Sequence, residues 1–186
     1  MKRCVDVVVA AVAGCLLLLP ASVIGLLVRW TSRGPALYWS DRVGRQNQIF
    51  RMPKFRTMRL HTPAVATHLL TNPAGYLTPI GSFLRRTSLD ELPQLWSILR
   101  GDMSFVGPRP ALFNQSDLIA LRTAEGIDEL TPGLTGWAQI NGRDELSIPE
   151  KVRLDAEYLR LRSFWFDLRI IAITVWRAIA GDGIAH

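Results

Sequence analysis

An uncharged apolar run near the N-terminus constrains this chain more than any other feature. The 22 residues from Val7 to Val28 contain no charged side chain, and about 20 apolar residues are enough to cross the hydrocarbon core of a bilayer. The run is too long for the apolar core of a typical signal peptide, and no clean A-x-A cleavage site follows it. The sequence therefore predicts a helix that enters a membrane.

Two features bear on whether this helix crosses the membrane or turns back. Pro20 lies just past the middle of the run, where its missing N–H and its ring kink a helix, and Ser22 is close enough to satisfy a freed backbone group. Cations flank both ends of the run: Lys2, Arg3, Arg29 and Arg33. Because an excess of cations marks the cytoplasmic side, this symmetry favours a re-entrant helix. A transmembrane helix is the alternative.

The rest of the chain is long enough for one compact domain. Its patterns predict an exit loop at 30–38, a short strand or hairpin at 48–58 that is broken by Pro53, and a surface loop at 61–78. They also predict helices at 80–86, about 91–99, 111–124 and 149–162, and a loop at 130–143. Gly101 is the expected end of the helix at 91–99, whose inner face would carry Leu92, Leu95, Trp96 and Leu99. We expect an α-rich α+β fold with little strand, divided into a re-entrant membrane helix at 1–30 and a small cytosolic and interfacial domain at 31–186.

The last apolar segment, 164–180, is interrupted by Asp167, Arg169 and Arg177, so it is unsuited to crossing a bilayer. Its aromatic and apolar bulk combined with arginines is typical of an amphipathic helix that lies in the membrane interface. A buried core helix is the competing interpretation.

Charge and cysteine content narrow the classes of function. The chain has 22 Lys and Arg residues against 16 Asp and Glu, mostly arginine, and arginine binds phosphate groups with two parallel hydrogen bonds. A positive-inside membrane bias or a GC-rich genome explains the same excess. The only two cysteines, Cys4 and Cys15, lie near the N-terminus, which excludes a disulfide framework and argues against a cysteine metal site.

An adjacent acid pair, Asp90 and Glu91, has two interpretations. The residues Ser88 to Glu91 match the capping-box pattern S-x-x-E, so they are expected to start a helix. Pro93 moves the expected cap toward Asp90, because proline is tolerated only in the first turn, and the helix dipole would then stabilise an ionised Asp90. Such a carboxylate can attack a phosphorus atom, or it can help to hold Mg²⁺, which prefers one or two carboxylates together with substrate phosphates.

Cations in rigid loops favour the chemical interpretation. They are Arg85 and Arg86 before the acids, Lys54 and Arg56 in PKFRTM, Arg109 in GPRP and Arg143 in NGR. The prolines on both sides of Arg109 fix its backbone, which suits a group that must meet phosphate oxygens without reorganising. For any single cation, a solvated basic face is the alternative.

Three of these motifs, KFRTM, LRRTSLDELPQLWSILRGDMSFVGPRP and PGLTGWAQINGR, resemble those of the bacterial sugar transferase family, the monotopic phosphoglycosyl transferases, in its minimal form. The resemblance implies transfer of a phosphosugar from a UDP-sugar to polyprenol (undecaprenyl) phosphate, with release of UMP. It places the protein on membrane lipids at the cytoplasmic face of the bacterial inner membrane, at the first membrane step of glycan assembly. It leaves room for a homo-oligomer and for downstream glycosyltransferases as partners.

The resemblance also implies roles for particular residues. Asp90 would form a covalent phosphosugar intermediate and hold Mg²⁺. Glu91 beside it would either help to hold the metal or deprotonate the acceptor, and the sequence does not choose between these roles. Pro20 would break the re-entrant helix, although this chain has Leu19-Pro20 where many members have Ser-Pro. The expected phosphate contacts are Arg85, Arg109 and Arg143, with Lys54 and Arg56 as weaker candidates. The sequence identifies no particular sugar.

Two other classes of protein compete with this interpretation. A non-catalytic membrane adaptor would use the same basic face to bind anionic lipid or a partner in glycan assembly. A nucleic-acid binder is suggested by charge alone, because the sequence has no recognition motif or obvious stacking platform. We therefore expect no nucleic-acid partner.

Overall fold

The computed structural model describes residues 2–63, 72–142 and 145–180 and has the expected α-rich α+β fold with little strand. The helices in these ranges are α1 (Lys2–Thr31), α2 (Gly81–Arg86), α3 (Gln94–Arg100), α4 (Ser116–Ala124), α5 (Trp137–Ile140), α6 (Ile148–Leu161) and α7 (Phe164–Ala180). The strands are β1 (Leu37–Val43), β2 (Ile49–Phe55), β3 (Ser104–Val106) and β4 (Gly133–Thr135). Short 3₁₀ turns lie at Arg45–Asn47, Pro73–Tyr76, Leu89–Glu91 and Ile127–Glu129.

The apolar run forms α1, which is long and apolar enough to cross a membrane by length and composition. The helix continues through Pro20. The Ser22 hydroxyl donates to the carbonyl of Leu18 at 2.8 Å and not to that of Leu16, the acceptor that Pro20 leaves without its usual N–H donor. Ser22 therefore does not replace the missing donor, contrary to expectation. The exit-loop prediction is also wrong at its edges, because α1 extends to Thr31 and β1 begins at Leu37.

Both ends of α1 pack against the same domain. Ala10, fully buried near the N-terminal end, shares a core cluster with Met52 of β2. Val28, fully buried near the C-terminal end, shares another cluster with Phe55 of the same strand. Between these anchored ends the side chain of Leu19 is 75% exposed. None of the residues 11–20 is buried, so the middle of α1 packs little against the domain while its two ends are held on it.

The two segments after α1 pair as an antiparallel hairpin of β1 and β2, in the register Trp39 opposite Pro53. The predicted strand at 48–58 is confirmed for 49–55, and Pro53 does not break it. Both strands of a two-stranded sheet are edge strands, where proline is tolerated. The hairpin carries Lys54 to the side of the domain where the acid pair lies.

The acid pair lies in a 3₁₀ turn and not in the first turn of an α-helix, because α3 begins only at Gln94. Ser88 has a positive φ of 55° and its side chain makes no capping hydrogen bond, so the capping-box interpretation is wrong. The predicted inner face is also wrong in part, since Trp96 is 55% exposed whereas Ile98 is fully buried. Gly101, with φ of 100°, ends α3 as expected.

The predicted loop at 130–143 contains β4 and α5, and β4 pairs in parallel with β3. Glycines allow the two segments to touch. A Cβ added to Gly133 would lie 2.1 Å from the Gly107 nitrogen, and one added to Gly136 would lie 2.1 Å from the Gly107 oxygen. Only glycine at these two positions permits this backbone contact, which fixes the start of the Gly-Pro-Arg-Pro turn.

The remaining helices form the other side of the domain. The predicted helix at 111–124 is confirmed as α4 from Ser116 onward, and α6 begins at Ile148 behind a complete capping box of Ser147 and Glu150. The final helix, α7, begins at Phe164 as predicted and continues to Ala180, the last described residue. Ile170 is fully buried on it, while Trp165 is 77% and Trp176 is 70% exposed. These exposures favour a helix with one packed stripe over a buried core helix.

Candidate active site

Three chain segments meet at the Glu91 carboxylate. The Lys54 ammonium, at the end of β2, donates to Glu91 Oε1 at 2.8 Å. Arg109, in the Gly-Pro-Arg-Pro turn, donates from Nη2 to the same oxygen at 3.1 Å. The fold thus brings together three of the predicted site residues from distant parts of the sequence. The Glu91 carboxylate offsets part of the positive charge of Lys54 and Arg109. A charged group that is partly buried needs such a partner.

Asp90 lies beside this group but is not bonded to it. Its side chain is only 7% exposed, and within the described part of the chain it makes no hydrogen bond or ion pair. Burial raises the pKa of the Asp90 carboxyl, and the nearby charges of Lys54 and Arg85 offset this only in part. The expectation that a helix dipole stabilises the ionised form is wrong, because α3 begins four residues after Asp90.

The pKa of the neighbouring acid, Glu91, is shifted in the opposite direction. Burial alone would raise the pKa of the Glu91 carboxyl, but the Lys54 ammonium and the Arg109 guanidinium outweigh it and hold that pKa well below its ordinary value. Burial also lowers the pKa of the Lys54 ammonium, although Glu91 acts against that shift. Two adjacent carboxyls whose pKa values are pushed apart are typical of sites in which each has a different role.

Arg85, on α2, lies on the Asp90 side of the group. Its Nε donates to the hydroxyl of Thr57 at 3.0 Å, and its charge is near enough to Asp90 for the two to interact electrostatically. Burial lowers the pKa of the Arg85 guanidinium. Arg85 thus joins the predicted acids, Lys54 and Arg109 in one cluster, which we call the acid–cation cluster (Lys54, Arg85, Asp90, Glu91 and Arg109).

The structure does not bring Arg56, another of the predicted cations, into this cluster. The Arg56 guanidinium donates to the carbonyl of Pro35 at 2.7 Å and to the carbonyl of Ser32 at 3.0 Å. With only 4% of its surface exposed, Arg56 ties the segment after α1 to the end of β2. Arg143 lies outside the described residues.

Two residues near the cluster were missed by sequence reasoning. Arg122 of α4 donates from Nη1 to the carbonyl of Arg109 at 2.8 Å and from Nη2 to Asp155 of α6 at 2.6 Å. A signal for Asp155 was available in the sequence, because it lies beside the apolar positions Val152 and Ala156 of a helix. Both of those residues are buried in the structure. A carboxylate on the apolar face of a helix requires a partner.

The two carboxylates fit a Mg²⁺ site of the kind in which substrate phosphates supply the remaining ligands. Among the described residues there is no group of three or more His, Cys, Asp and Glu side chains that would form a metal cage. Mg²⁺, however, is commonly bound by one or two carboxylates together with substrate phosphates. Asp90 and Glu91 supply two adjacent carboxylates. The two carboxylate oxygens of Asp90 are not bonded to any described protein group.

Comparison with known proteins gives consistent matches. A model described as bacterial sugar transferase matches residues 1–181. The chain is 39% identical over 186 residues to the UDP-glucose:undecaprenyl-phosphate glucose-1-phosphate transferase of Escherichia coli (strain K12), covering 95% of this chain and 40% of that protein. It is 36% identical over 201 residues to the UDP-galactose-lipid carrier transferase of Erwinia amylovora, covering 98% and 41%.

A shorter relative matches over most of its own length. The chain is 39% identical over 158 residues to the uncharacterized sugar transferase EpsL of Bacillus subtilis (strain 168), covering 85% of this chain and 77% of that protein. By contrast, the chain spans about two fifths of the Escherichia coli and Erwinia relatives.

Proposed function

This chain belongs to the bacterial sugar transferase family, and from that membership and the acid–cation cluster we propose that it is a phosphoglycosyl transferase. The proposed reaction moves a sugar phosphate from a UDP-sugar to polyprenol phosphate, giving polyprenyl-diphospho-sugar and UMP. The Escherichia coli relative is named for both substrate classes, UDP-glucose and undecaprenyl phosphate. The proposed place of the reaction is the cytoplasmic face of the bacterial inner membrane.

The observation that carries the proposal is the contrast between the two acids. Asp90 is buried and unpaired among the described residues, whereas Glu91 is bonded to Lys54 and Arg109. An unpaired carboxylate surrounded by cations is suited to attack on an anionic phosphate, because the cations lower the electrostatic repulsion between the two. A residue that served only to start a helix would need no such surroundings.

In the first proposed step, Asp90 is the nucleophile. A carboxylate oxygen of Asp90 attacks the phosphorus that carries the sugar, and the bond from that phosphorus to the oxygen bridging the two phosphates breaks. UMP leaves with the bridging oxygen, and the sugar phosphate remains as an acyl phosphate on Asp90. We assign the contacts to the phosphate oxygens to Arg109 and Arg85; the 36% exposure of the Arg109 side chain supports its part in this assignment.

In the second proposed step, a phosphate oxygen of the polyprenol phosphate attacks the same phosphorus. The bond between that phosphorus and Asp90 breaks, so the carboxylate is regenerated and the sugar diphosphate leaves on the lipid. Because Glu91 Oε1 accepts from both Lys54 and Arg109, we assign Glu91 the role of orienting these two cations. Glu91 and Asp90 would also hold Mg²⁺, which supplies further neutralisation of charge on the diphosphate.

The arrangement of α1 supports a re-entrant topology as part of the proposal. Ala10 and Val28 are 18 residues apart, about 27 Å along a straight helix, yet each is fully buried in a cluster that includes a residue of β2. A helix that crossed the hydrocarbon core, about 30 Å thick, would carry its two ends to opposite sides of the membrane. Anchoring of both ends on one domain is consistent with a helix that enters and leaves on the same side.

The donor sugar is the least constrained part of the proposal. One relative is named for glucose and another for galactose, and their identities to this chain are similar. We therefore propose UDP-glucose and UDP-galactose as the first donors to test. The test is UMP release from these and other UDP-sugars by membrane-reconstituted protein, with polyprenol phosphate and Mg²⁺. UMP release over many turnovers that requires both the lipid and Asp90 supports the proposal, and silence across a broad panel from folded protein supports a non-catalytic adaptor.

A further inference from the structure

We propose that Arg122 and Asp155 are positioning residues, which hold the turn that presents Arg109 to the donor phosphates. Neither residue belongs to the acid–cation cluster. The inference rests on the proposed function, because it assigns these two residues a part in the same site.

The contacts of Arg122 link α6 to the turn in a single side chain. Its Nε and Nη2 donate to Asp155 Oδ2 at 3.0 and 2.6 Å, while its Nη1 donates to the Arg109 carbonyl at 2.8 Å. The pair is well shielded from water, with 12% of the Arg122 side chain and 1% of the Asp155 side chain exposed. A planar guanidinium can satisfy both acceptors at once because its donors point in fixed directions.

The backbone of the Gly-Pro-Arg-Pro turn has little conformational freedom. Pro108 and Pro110 flank Arg109, and each proline ring fixes its own φ. Gly107, at the start of the turn, lies against the backbone of Gly133. With the neighbouring backbone restricted in this way, a hydrogen bond to the Arg109 carbonyl sets the direction in which its side chain leaves the turn and reaches Glu91.

A second link holds the residue at the other end of the segment. The Val106 carbonyl accepts from Lys2 Nζ at 2.8 Å, and the same ammonium donates to the Tyr158 hydroxyl at 2.9 Å. Tyr158 lies on α6 three residues after Asp155, so α6 holds the segment 106–109 near both of its ends. Lys2 is the first residue of α1, which connects the seating of the membrane helix to the same segment.

The alternative is that Arg122 and Asp155 only join α4 to α6. A double-mutant cycle with Arg109 separates the two roles, because residues that act through one another have non-additive effects. Arg122→Lys keeps a cation beside Asp155 but removes the fork that also reaches the Arg109 carbonyl. Arg109→Lys changes the group that Arg122 positions. Arg160→Lys, on the exposed side of α6, is the matched control.

We expect Arg122→Lys to lower kcat/KM for UMP release by as much as about 100-fold, the loss that a displacement of about 1 Å can cause. The same substitution in an Arg109→Lys background should cause little further loss. Arg160→Lys should leave kcat/KM unchanged. Asp155→Asn, measured in the same cycle, provides an independent variant if Arg122→Lys does not fold, and the unfolding temperature of each variant identifies that case.

The positioning role would be overturned if the losses of kcat/KM caused by Arg122→Lys and Arg109→Lys were additive in the double variant. An unchanged kcat/KM in a folded Arg122→Lys protein would overturn it as well. That result leaves the proposed reaction intact, because the wild-type protein would still release UMP. Absence of UMP release from the wild-type protein across the sugar panel would overturn both. The two failures are therefore distinguishable.

Discussion

The Lys54 ammonium lies 2.8 Å from Glu91 Oε1, although the two residues are 37 positions apart in the sequence. Side-chain exposure is 16% for Lys54 and 15% for Glu91, so the pair is largely shielded from water. Arg109 adds a second cation to the same oxygen. These contacts make Glu91 an organising residue for the cluster, while Asp90 beside it has no bonded partner among the residues described. The two acids should therefore respond differently to neutral substitution.

Glu91→Gln should destabilise the folded protein. The substitution leaves the Lys54 ammonium and the Arg109 guanidinium without their carboxylate, and breaking one side of a buried ion pair costs about 3 kcal/mol or more. The measurement is the unfolding temperature in the membrane-mimetic used for purification, with the exposed Glu125→Gln as the control. Equal unfolding temperatures for the two variants would contradict the assignment of Glu91.

Asp90→Asn should preserve the fold and abolish UMP release. The amide is close in shape to the carboxyl and lacks the charge that burial disfavours, so the unfolding temperature should equal or exceed that of the wild-type protein. Chemistry should stop because an amide does not replace the carboxylate nucleophile. Substantial turnover by Asp90→Asn, or a loss of stability as large as that of Glu91→Gln, would count against the proposed division of roles.

Arg56→Met should affect stability and not donor affinity. Its guanidinium donates to the carbonyls of Ser32 and Pro35, and each buried acceptor that loses its donor costs about 1–3 kcal/mol. The test measures the unfolding temperature and the KM for the UDP-sugar in the Arg56→Met and Arg109→Met proteins and compares the two variants. If Arg56→Met raises KM as strongly as Arg109→Met while leaving stability unchanged, Arg56 contacts phosphate, as the sequence alone suggested.

Both ends of α1 should be accessible from the cytoplasmic side. Cys4 is exposed in the structure and serves as a native reporter for the N-terminal end in a Cys15→Ala background. An Arg33→Cys substitution, with Cys4 and Cys15 replaced by alanine, reports on the exposed segment after the helix. Labelling of both reporters by an impermeant thiol reagent in inside-out but not right-side-out vesicles is the expected result. Reporters on opposite sides would establish a membrane-crossing helix.

Local sequence signals predicted the elements well where periodicity and turn residues agree. The start of α7 follows from the apolar segment 164–180, and the end of α3 follows from Gly101. The capping pattern at Ser88 was misleading, because the chain takes a left-handed conformation there and the Glu91 side chain turns to distant cations. A short-range rule does not anticipate a partner that arrives from another strand.

The sequence identified the members of the acid–cation cluster but not the residues that hold them in place. The acids and the rigid Arg109 turn stand out in the sequence because of their chemistry and prolines. The direction of the Arg56 side chain and the link from Asp155 through Arg122 depend on contacts between distant segments. No pattern in one sequence reveals which of many arginines will point inward, and that information appears only when the elements are packed.

The most direct test of the central claim, that Asp90 carries the sugar phosphate, is the intact mass of the protein after incubation with the UDP-sugar and Mg²⁺ in the absence of polyprenol phosphate. We predict an added mass equal to one sugar phosphate less one water, located on Asp90 by peptide mapping and discharged when polyprenol phosphate is added. The Asp90→Asn protein should show no addition. Turnover with no adduct on rapid quenching, or an adduct on another residue, would contradict the claim.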